Sequence, residues 1–526
     1  MRTPIAALTA LVLLTTTLVT ATASASVSAA SGSLTVTTYD RTGKAVAAAL
    51  TMVNVATNTQ YTATGNKAKA LPNGTYAVVT DIWTTVDQTD TLGARVLRVA
   101  GKTKTTIDAR AGRLLRINLD KDPGPAYLQQ VRAQICAVPG SVTEIGAWNS
   151  PGKLFAIPDP SKLLQFAFAS TWQADNESYV VAGSTKTTVP TGLSYTFRQA
   201  SLATVTSVLR SGTSAGENDQ LQLIENAACK AGYGSTAYYG PMPATVVAHV
   251  SAGRWQAESQ WTATQKDGTN GYIGTLPYAL NAAAGKSYRL SYLNAPWGPA
   301  RNLPVITSRG IEFDTSSMFT DPNAGTWGGE GSERSKVTLF DAKQKVLRSV
   351  WQTDWADGNA QFTGKIAKKG WYTLEVNGQR YRPDQTYPPT LLSNQASAVF
   401  HLVADPKAAP RTADVIVPRL AVLSGLNLSN TATHDSSVVV EIRPDRSDSS
   451  GPDFAFGSVT AKTVTLSASF DGGKTWHAAP VRKVGTKWQA TVTNATSGDY
   501  VALRSRLTAT NSQWVEITDY RAYRLG

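Results

Sequence analysis

A two-residue alternation of apolar and polar side chains recurs along this sequence and limits the folds open to it. Ser33–Thr37, Leu115–Leu119 and Thr204–Val208 all alternate in this way. Such alternation predicts antiparallel strands that bury one face and expose the other. The runs are rich in Thr, Val, Tyr and Trp, and turn-forming Gly, Pro, Asn and Asp residues separate them. The sequence therefore predicts an all-β fold.

Helical periodicity is confined to two short segments. Asn218–Lys230 contains four apolar residues that could form one stripe of a helix, and Tyr127–Gln134 is a weaker candidate. We therefore expect a single short helical excursion, close to the second cysteine, in otherwise β structure.

A glycine followed within three residues by a tyrosine opens an alternating strand at four places. In Greek-key sandwiches a tyrosine at such a corner commonly bonds through its hydroxyl to backbone upstream. A chain of this length also exceeds what one hydrophobic core supports. Four corners therefore predict four sandwich-like modules. The four tyrosines are Tyr76, Tyr288, Tyr372 and Tyr500.

The first thirty residues have the layout of a cleaved export signal. Arg2 precedes an apolar run that is too short to span a bilayer, and small residues in Ala-x-Ala spacing follow. We therefore expect a secreted, extracellular protein, either free or associated with the envelope, that does not span the membrane. The predicted organisation is a signal peptide at 1–30, a β-sandwich at 31–119, a β-rich module at 120–305, a β-sandwich at 306–410 and an Ig-like β-sandwich at 411–526.

The chain has two cysteines, Cys136 and Cys229. In an exported protein an even pair suggests one disulfide, which here would lie within the second module. Two free buried thiols are the alternative. Two cysteines and four scattered histidines do not match the spacing of a zinc site, and we predict no metal and no cofactor.

The net charge of +13 is concentrated near the predicted mature N-terminus, where residues 31–119 hold 11 basic and 5 acidic side chains. A basic surface favours anionic partners such as a cell-wall polymer or an acidic polysaccharide. Simple solubility is the alternative explanation. No basic-aromatic motif of a nucleic-acid-binding module is present, so nucleic acid is not an expected partner.

One segment matches the G-x-S-x-G pattern of a nucleophile elbow. Gly212–Gly216 would make Ser214 the candidate nucleophile of a serine hydrolase. The chain lacks the repeated strand–helix alternation of a parallel sheet, and no glycine-rich oxyanion segment with histidine precedes the motif. A plain surface turn is therefore the favoured interpretation. The four histidines, His249, His401, His434 and His477, all have ordinary strand or loop contexts.

A second motif matches the Asp-box pattern S-x-D-x-G-x-T-W. It predicts a tight hairpin in which the Asp side chain bonds turn amides and the Trp packs beneath. Sialidases carry several copies, and one copy predicts only a structural turn. The residues are Ser469, Asp471, Gly473, Thr475 and Trp476.

Nearly the whole chain after residue 30 resembles the non-catalytic C-terminal region of large secreted subtilisin-like serine peptidases of actinobacteria. The peptidase motifs themselves are absent: no histidine here is followed by glycine, and Gly212–Ser214 matches only part of the nucleophile motif. Residues 31–119 also resemble a carboxypeptidase regulatory or transthyretin-like sandwich. The stretches that carry the resemblance are Leu34–Val36, Leu71–Tyr76, Pro243–Trp255, Leu290–Pro299, Val464–Ser467, Asp471–Trp476, Tyr500–Arg504 and Arg521–Leu525.

These observations favour a non-enzymatic binding or scaffold protein that acts at the cell envelope or on an extracellular protein or polysaccharide. The resemblance implies accessory modules without chemistry of their own. Two alternatives stay open: a serine hydrolase that uses Ser214, and an inhibitor or helper of a secreted subtilisin-like peptidase. The thirteen tryptophans could also include an aromatic face that binds sugar.

Overall fold

A computed structural model of the chain describes residues 31–137, 144–216, 218–225, 233–299, 302–316, 318–323, 329–330, 333–353, 360–446 and 459–526. In these ranges the regular structure is β-strand, apart from two single 3-10 turns at Ala109–Ala111 and Gln199–Ser201. The predicted signal peptide at 1–30 lies outside them. Within the described part of the chain, no helix has the length and apolarity needed to cross a membrane. The all-β prediction is confirmed.

The first twenty strands cover the N-terminal half of the chain. They are β1 Ser31–Tyr39, β2 Ala49–Asn54, β3 Gln60–Thr64, β4 Ala68–Pro72, β5 Gly74–Thr84, β6 Thr89–Val99, β7 Lys102–Asp108, β8 Arg113–Leu114, β9 Arg116–Leu119, β10 Leu128–Ala137, β11 Glu144–Asn149, β12 Leu154–Ala156, β13 Leu164–Gln173, β14 Glu177–Thr185, β15 Ser194–Phe197, β16 Ala203–Leu209, β17 Asn218–Glu225, β18 Tyr233–Pro241, β19 Ala244–Val250 and β20 Gly253–Thr264.

Twenty further strands cover the C-terminal half. They are β21 Asn270–Ala282, β22 Ser287–Tyr292, β23 Val305–Thr307, β24 Gly310–Asp314, β25 Gly329–Glu330, β26 Glu333–Asp341, β27 Val346–Thr353, β28 Gln361–Gly364, β29 Gly370–Arg380, β30 Gln395–Ala404, β31 Arg411–Thr412, β32 Val417–Ser424, β33 Thr431–Ala432, β34 Ser437–Asp445, β35 Ala461–Ser469, β36 His477–Ala479, β37 Val481–Val484, β38 Lys487–Thr493, β39 Tyr500–Ala509 and β40 Trp514–Leu525.

The N-terminal module is a sandwich of two sheets. A three-stranded sheet of order β4-β1-β7 packs on a six-stranded sheet of order β3-β2-β5-β6-β12-β8. Leu34, Met52 and Tyr76 belong to the buried core between them. Strand β12 joins the six-stranded sheet from beyond residue 119 and pairs parallel with β6. One strand therefore crosses the module boundary predicted at 119.

A seven-stranded sheet of order β11-β10-β13-β14-β19-β16-β22 forms the middle layer. On one side, Phe166 and Phe168 of this sheet share a core with Val79 of the six-stranded sheet. On the other side, Val205 packs in a core with Leu221 of a five-stranded sheet, whose order is β18-β17-β20-β21-β25. Both faces of the middle sheet are therefore buried in part, which fixes the N-terminal and middle layers to each other.

The C-terminal half is built around a nine-stranded sheet. Its main path is β27-β26-β29-β30-β40-β39-β35-β36, and β33 pairs with β40. Two four-stranded sheets, β32-β34-β38-β37 and β28-β24-β23-β31, share one core with it through residues such as Val440, Phe313 and Phe400. Strand β30 pairs antiparallel with β40, so strands from both sides of residue 410 lie in one sheet.

The middle and C-terminal layers meet around one fully buried tryptophan. The ring of Trp297 lies 5.8 Å from that of Trp261 in β20. The guanidinium of Arg380 in β29 sits 4.4 Å from the centre of the Trp297 ring. Because proline interrupts sheets, Pro304 makes Asn302–Thr307 a predicted linker between modules. In the structure this stretch contains β23 and is buried over most of its length. This junction is therefore packed rather than hinged.

The predicted helices are wrong in the described residues. Residues 218–225 of the first candidate form strand β17, and the second candidate lies largely in β10. In β17 the buried residues Asp219, Leu221 and Leu223 alternate with half-exposed ones. Leu221, Ile224 and Ala228 have the i, i+3, i+7 spacing of a short helical stripe, but pairing with β18 and β20 on both edges decides in favour of the strand.

Three of the four tyrosine corners are confirmed. The hydroxyl of Tyr76 donates to the carbonyl of Pro72 at 2.9 Å, and that of Tyr372 donates to Lys368 at 2.7 Å. Tyr288 reaches back to the carbonyl of Asn281 at 2.9 Å. Each bond ties the start of a strand to the segment before it, as the corner arrangement requires.

Candidate functional site

A cavity of about 780 Å³ lies where the middle module meets the C-terminal sheets. Its walls come from four separate parts of the chain: the Ser211–Gly216 turn after β16, the end of β20, the loop at 386–392, and the segment 429–431 with the neighbouring end of β40. Because these parts belong to the packed junction around Trp297, the cavity is part of the fixed architecture. We refer to it as the junction cleft.

The lining of the junction cleft is unusually rich in hydroxyl groups. One amide, Gln265, and two cations, Lys266 and Arg524, accompany them. The lining residues that the structure describes include no carboxylate. The cleft therefore offers hydrogen-bonding groups in a positive environment. Its hydroxyl side chains are Ser211, Ser214, Thr264, Thr386, Thr390, Ser429 and Thr431.

The turn on one wall of the cleft is held by its own hydrogen bonds. The Ser214 hydroxyl oxygen accepts from the backbone N–H of Gly216 at 2.8 Å. The Thr213 hydroxyl donates to the carbonyl of Leu293 at 2.8 Å, and Arg380 donates to the carbonyl of Thr213. The G-x-S-x-G segment therefore acts as a rigid turn that connects the two halves of the protein.

The two cations of the cleft differ in their bonding. Lys266 donates from Nζ to the carbonyl of Pro383 at 2.6 Å, which anchors it at the rim. Arg524 is exposed, and no hydrogen bond or ion pair holds its guanidinium within the described part of the chain. Arginine presents five donors in a planar fork suited to carboxylate and phosphate. Arg524 is therefore available to an anionic ligand.

No histidine or acidic side chain lies among the described lining residues that surround Ser214. A serine nucleophile needs a base within hydrogen-bond reach. The four histidines have other contacts. His249 bonds Glu177 at 2.8 Å, and His401 stacks between two tryptophans of the nine-stranded sheet. His434 bonds the Ala495 carbonyl at 3.2 Å, and the His477 ring lies 6.0 Å from that of Phe470. The geometry around Ser214 therefore supports a turn-forming role for this residue.

We expect a fluorophosphonate probe to leave Ser214 unlabelled. Its hydroxyl oxygen already accepts a backbone hydrogen bond, and the described walls of the cleft supply no base to deprotonate it. The check is in-gel fluorescence of the folded chain beside an active subtilisin as a positive control. Labelling that disappears in Ser214→Ala would instead support the hydrolase alternative.

The predicted disulfide falls partly on residues that the structure does not describe. Cys136 is buried in β10 and is not a free thiol. Its predicted partner Cys229 lies outside the described residues. The Cys136–Cys229 pairing therefore stays a prediction.

The Asp-box residues form the turn between β35 and β36. Asp471 accepts from the backbone N–H of Thr475 at 2.9 Å and from its hydroxyl at 2.6 Å, and the Thr475 hydroxyl holds the pKa of this carboxyl well below its ordinary value. Ser469 accepts from the N–H of Gly473 at 2.8 Å, and the Trp476 indole donates to the Gly473 carbonyl at 3.0 Å. The polar groups of the Asp box are therefore engaged within the hairpin, and the guanidinium of Arg504 in β39 lies over the Trp476 ring, 4.2 Å from its centre.

Comparisons with known proteins give no identity for the chain. No protein-family model matches it, and no curated protein does. Among solved structures, the chicken CNTN1 FN1-FN3 domains are 9% identical over 61% of this chain and 96% of that one, with a TM-score of 0.15. Escherichia coli alpha-2-macroglobulin activated by porcine elastase is 10% identical over 94% of this chain and 53% of that one, with a TM-score of 0.15. Salmonella alpha-2-macroglobulin reacted with methylamine is 9% identical over 91% of this chain and 37% of that one, with a TM-score of 0.16. Overlaps this small bear on neither the function nor the assembly of this protein.

Proposed function

We propose that this protein is a non-enzymatic extracellular binding or scaffold component that holds an anionic polymer in the junction cleft. One observation carries the proposal: the described lining combines seven hydroxyl side chains with Lys266 and Arg524 and contains no carboxylate. A site built in this way attracts negative charge and supplies donors and acceptors for a hydroxylated chain.

The positive charge of the cleft favours anionic ligands over neutral ones. Two cations without a compensating carboxylate raise the local concentration of an acidic polymer. Hydrogen bonds from a guanidinium to a carboxylate or phosphate are about twice as strong as those between neutral groups. A wall polymer or polysaccharide that carries phosphate or carboxylate fits this pattern. The resemblance to peptidase accessory regions does not contribute to this argument and stays a prediction.

The size and rigidity of the cleft suit an oligomeric segment. A volume of about 780 Å³ falls within the range of roughly 300–1,000 Å³ that is usual for ligand pockets. The walls belong to one continuous core that extends from the middle sheets to the last strand. A preformed site of this kind loses little conformational freedom when it binds, which favours affinity.

We expect Arg524→Gln to weaken binding to an anionic polymer by roughly 10- to 100-fold, because a charge-assisted hydrogen bond contributes roughly 1.5–3 kcal/mol. The chain without its predicted signal would be mixed with purified cell envelope and, separately, with soluble polyphosphate and polygalacturonate. Sedimentation and titration calorimetry across a salt series give the affinities. Wild-type binding should weaken as salt rises, since the contacts are ionic.

Arg254→Gln is the matched control. Arg254 is an exposed arginine in β20, away from the cleft, so its replacement changes the net charge by the same amount. If both variants lose affinity equally, general surface charge rather than the cleft binds the polymer. Absence of wild-type binding to all three anionic materials at low salt would refute the proposal.

A further inference from the structure

A row of aromatic rings crosses the outer face of the nine-stranded sheet. Trp371 of β29 stacks on His401 of β30 with ring centres 4.8 Å apart and planes inclined by 11°. His401 stacks in turn on Trp514 of β40 at 5.2 Å and 24°. The guanidinium of Arg506 in β39 covers the far side of Trp514, 4.1 Å from its ring centre. We call these four residues the aromatic row.

The aromatic row lies on the solvent side of the sheet. Along β29 the buried core residues Leu374 and Val376 alternate with outward-facing ones, and Trp371 is 36% exposed. With strands about 4.8 Å apart, a row across four of them extends over roughly 15 Å. Single exposed aromatic side chains are ordinary, but two tryptophans and an arginine in one row form the kind of surface that is typical of binding sites.

The rings are stacked face to face, so most of their faces are already covered by a neighbouring ring or by Arg506. In the described residues no ring or cation packs on the face of Trp371 that points away from His401. The open surface is therefore one indole face at the end of the row, together with the upper edges of His401 and Trp514. A flat, partly apolar ligand ring can stack on that face while its polar edge reaches the neighbouring groups.

The polar groups of the row are balanced in charge. Arg506 and Glu516 form an ion pair, with Nε and Oε2 2.9 Å apart. Thr373 shares a hydrogen bond of 3.1 Å with Nδ1 of His401. Burial, and then the charge of Arg506, lower the pKa of His401, which leaves the imidazole uncharged near neutral pH. This surface offers donors and acceptors without net charge, in contrast to the junction cleft.

We propose that the aromatic row is a second binding site, independent of the junction cleft, for a neutral polysaccharide. A pyranose ring has a C–H face that stacks on the open side of Trp371. Sugar units further along the same chain lie across the row, where their hydroxyl groups can hydrogen-bond to the edge of His401 and to the Arg506–Glu516 pair at its other end. Because ionic contacts contribute little here, binding at the row resists salt, whereas binding at the cleft does not.

The test is retention of the chain on insoluble neutral polysaccharides, namely cellulose, chitin and starch. The assay runs in about 1 M NaCl, where the Debye length is only about 3 Å and ionic attraction is screened. We expect the wild type to be retained by at least one of the three, and Trp371→Ala to bind it about tenfold more weakly. Trp371→Tyr, which keeps a stacking face, should retain most of the affinity.

Trp148→Ala is the control for loss of an exposed tryptophan, because Trp148 is 65% exposed on β11 of another sheet. The proposal is overturned if the wild type binds none of the three materials, if Trp371→Ala binds like the wild type, or if Trp148→Ala loses as much. Arg524→Gln should leave retention unchanged, so failure of this site and failure of the cleft give different results.

Discussion

The folded chain should lose stability as the pH rises from about 4 to about 7, and Asp219→Asn should remove the part of that loss that comes from Asp219. Asp219 lies in β17 with its side chain buried opposite Trp261 of β20. Burial raises the pKa of this carboxyl to about 7, although the Ser259 hydroxyl, which donates to it at 2.5 Å, acts in the opposite direction. The folded protein therefore holds a proton here that the unfolded chain has released.

The sign follows from proton linkage. The folded-state pKa is raised above the unfolded value of 3.8, so the stability that the protonated carboxyl contributes is complete below about pH 4. It is lost as the pH rises through about 7. Because each pKa unit corresponds to about 1.4 kcal/mol, the loss for Asp219 alone is on the order of 4 kcal/mol by pH 8. Burial also raises the pKa values of Asp81 and Glu225 to about 7, so they add to the same slope.

Urea unfolding of the wild type and Asp219→Asn at several pH values measures this effect. Asparagine stays uncharged, so we expect the stability of the variant relative to that of the wild type to be lowest at about pH 4 and to increase as the pH rises to 8. Asp175→Asn, at an exposed position, should follow the wild-type curve. Parallel curves for the wild type and Asp219→Asn would show that Asp219 titrates alike in the folded and unfolded states.

The strand content of this chain was predictable because alternation is a local signal. Each run needs only its own residues to present one apolar face, as in Ser33–Thr37 of β1. The prediction for Asn218–Lys230 is wrong because the local signal is ambiguous: Leu221 and Ile224 fit the helical period, whereas Leu221 and Leu223 fit the strand period. The outcome is set by pairing with the edges of β18 and β20, which both lie outside this segment.

The junction cleft could not be predicted in the same way. The motif at Gly212–Gly216 marked a special turn, but nothing local connects Ser214 with Lys266 or Arg524. Strand pairing and the packed junction bring these segments together. Local patterns in a single sequence do not reveal which strands pair. The aromatic row was missed for the same reason, because Trp371, His401 and Trp514 become neighbours only through the order of three strands.

The stretch around Trp297 shows how proline can mislead. Prolines interrupt sheets, so the sequence of Asn302–Thr307 predicts a linker between modules. A proline marks where a ladder of backbone hydrogen bonds ends, but it does not indicate whether the segment is buried or exposed. In the structure this stretch continues from a fully buried tryptophan that sits under Arg380 and beside Trp261. The two halves of the chain therefore share one hydrophobic core and are not merely connected by an exposed linker.

Trp297→Ala should therefore destabilise the protein by about 3–5 kcal/mol, the usual cost of removing a large buried aromatic side chain. The ring is fully buried, and without it Arg380 loses the surface on which its guanidinium lies. Because Arg380 also donates to the carbonyl of Thr213, the variant should loosen the turn at the cleft and weaken anionic binding.

Denaturant unfolding of Trp297→Ala beside Trp83→Ala separates this effect from a general loss of tryptophan. Trp83 is 47% exposed, and its removal should change stability by less than about 1 kcal/mol. We further expect the wild type to unfold its middle and C-terminal layers together, since a single core holds them, and Trp297→Ala to separate them into two transitions. A small loss of stability in a single transition would mean that other contacts of the continuous core, rather than Trp297, unite the two halves.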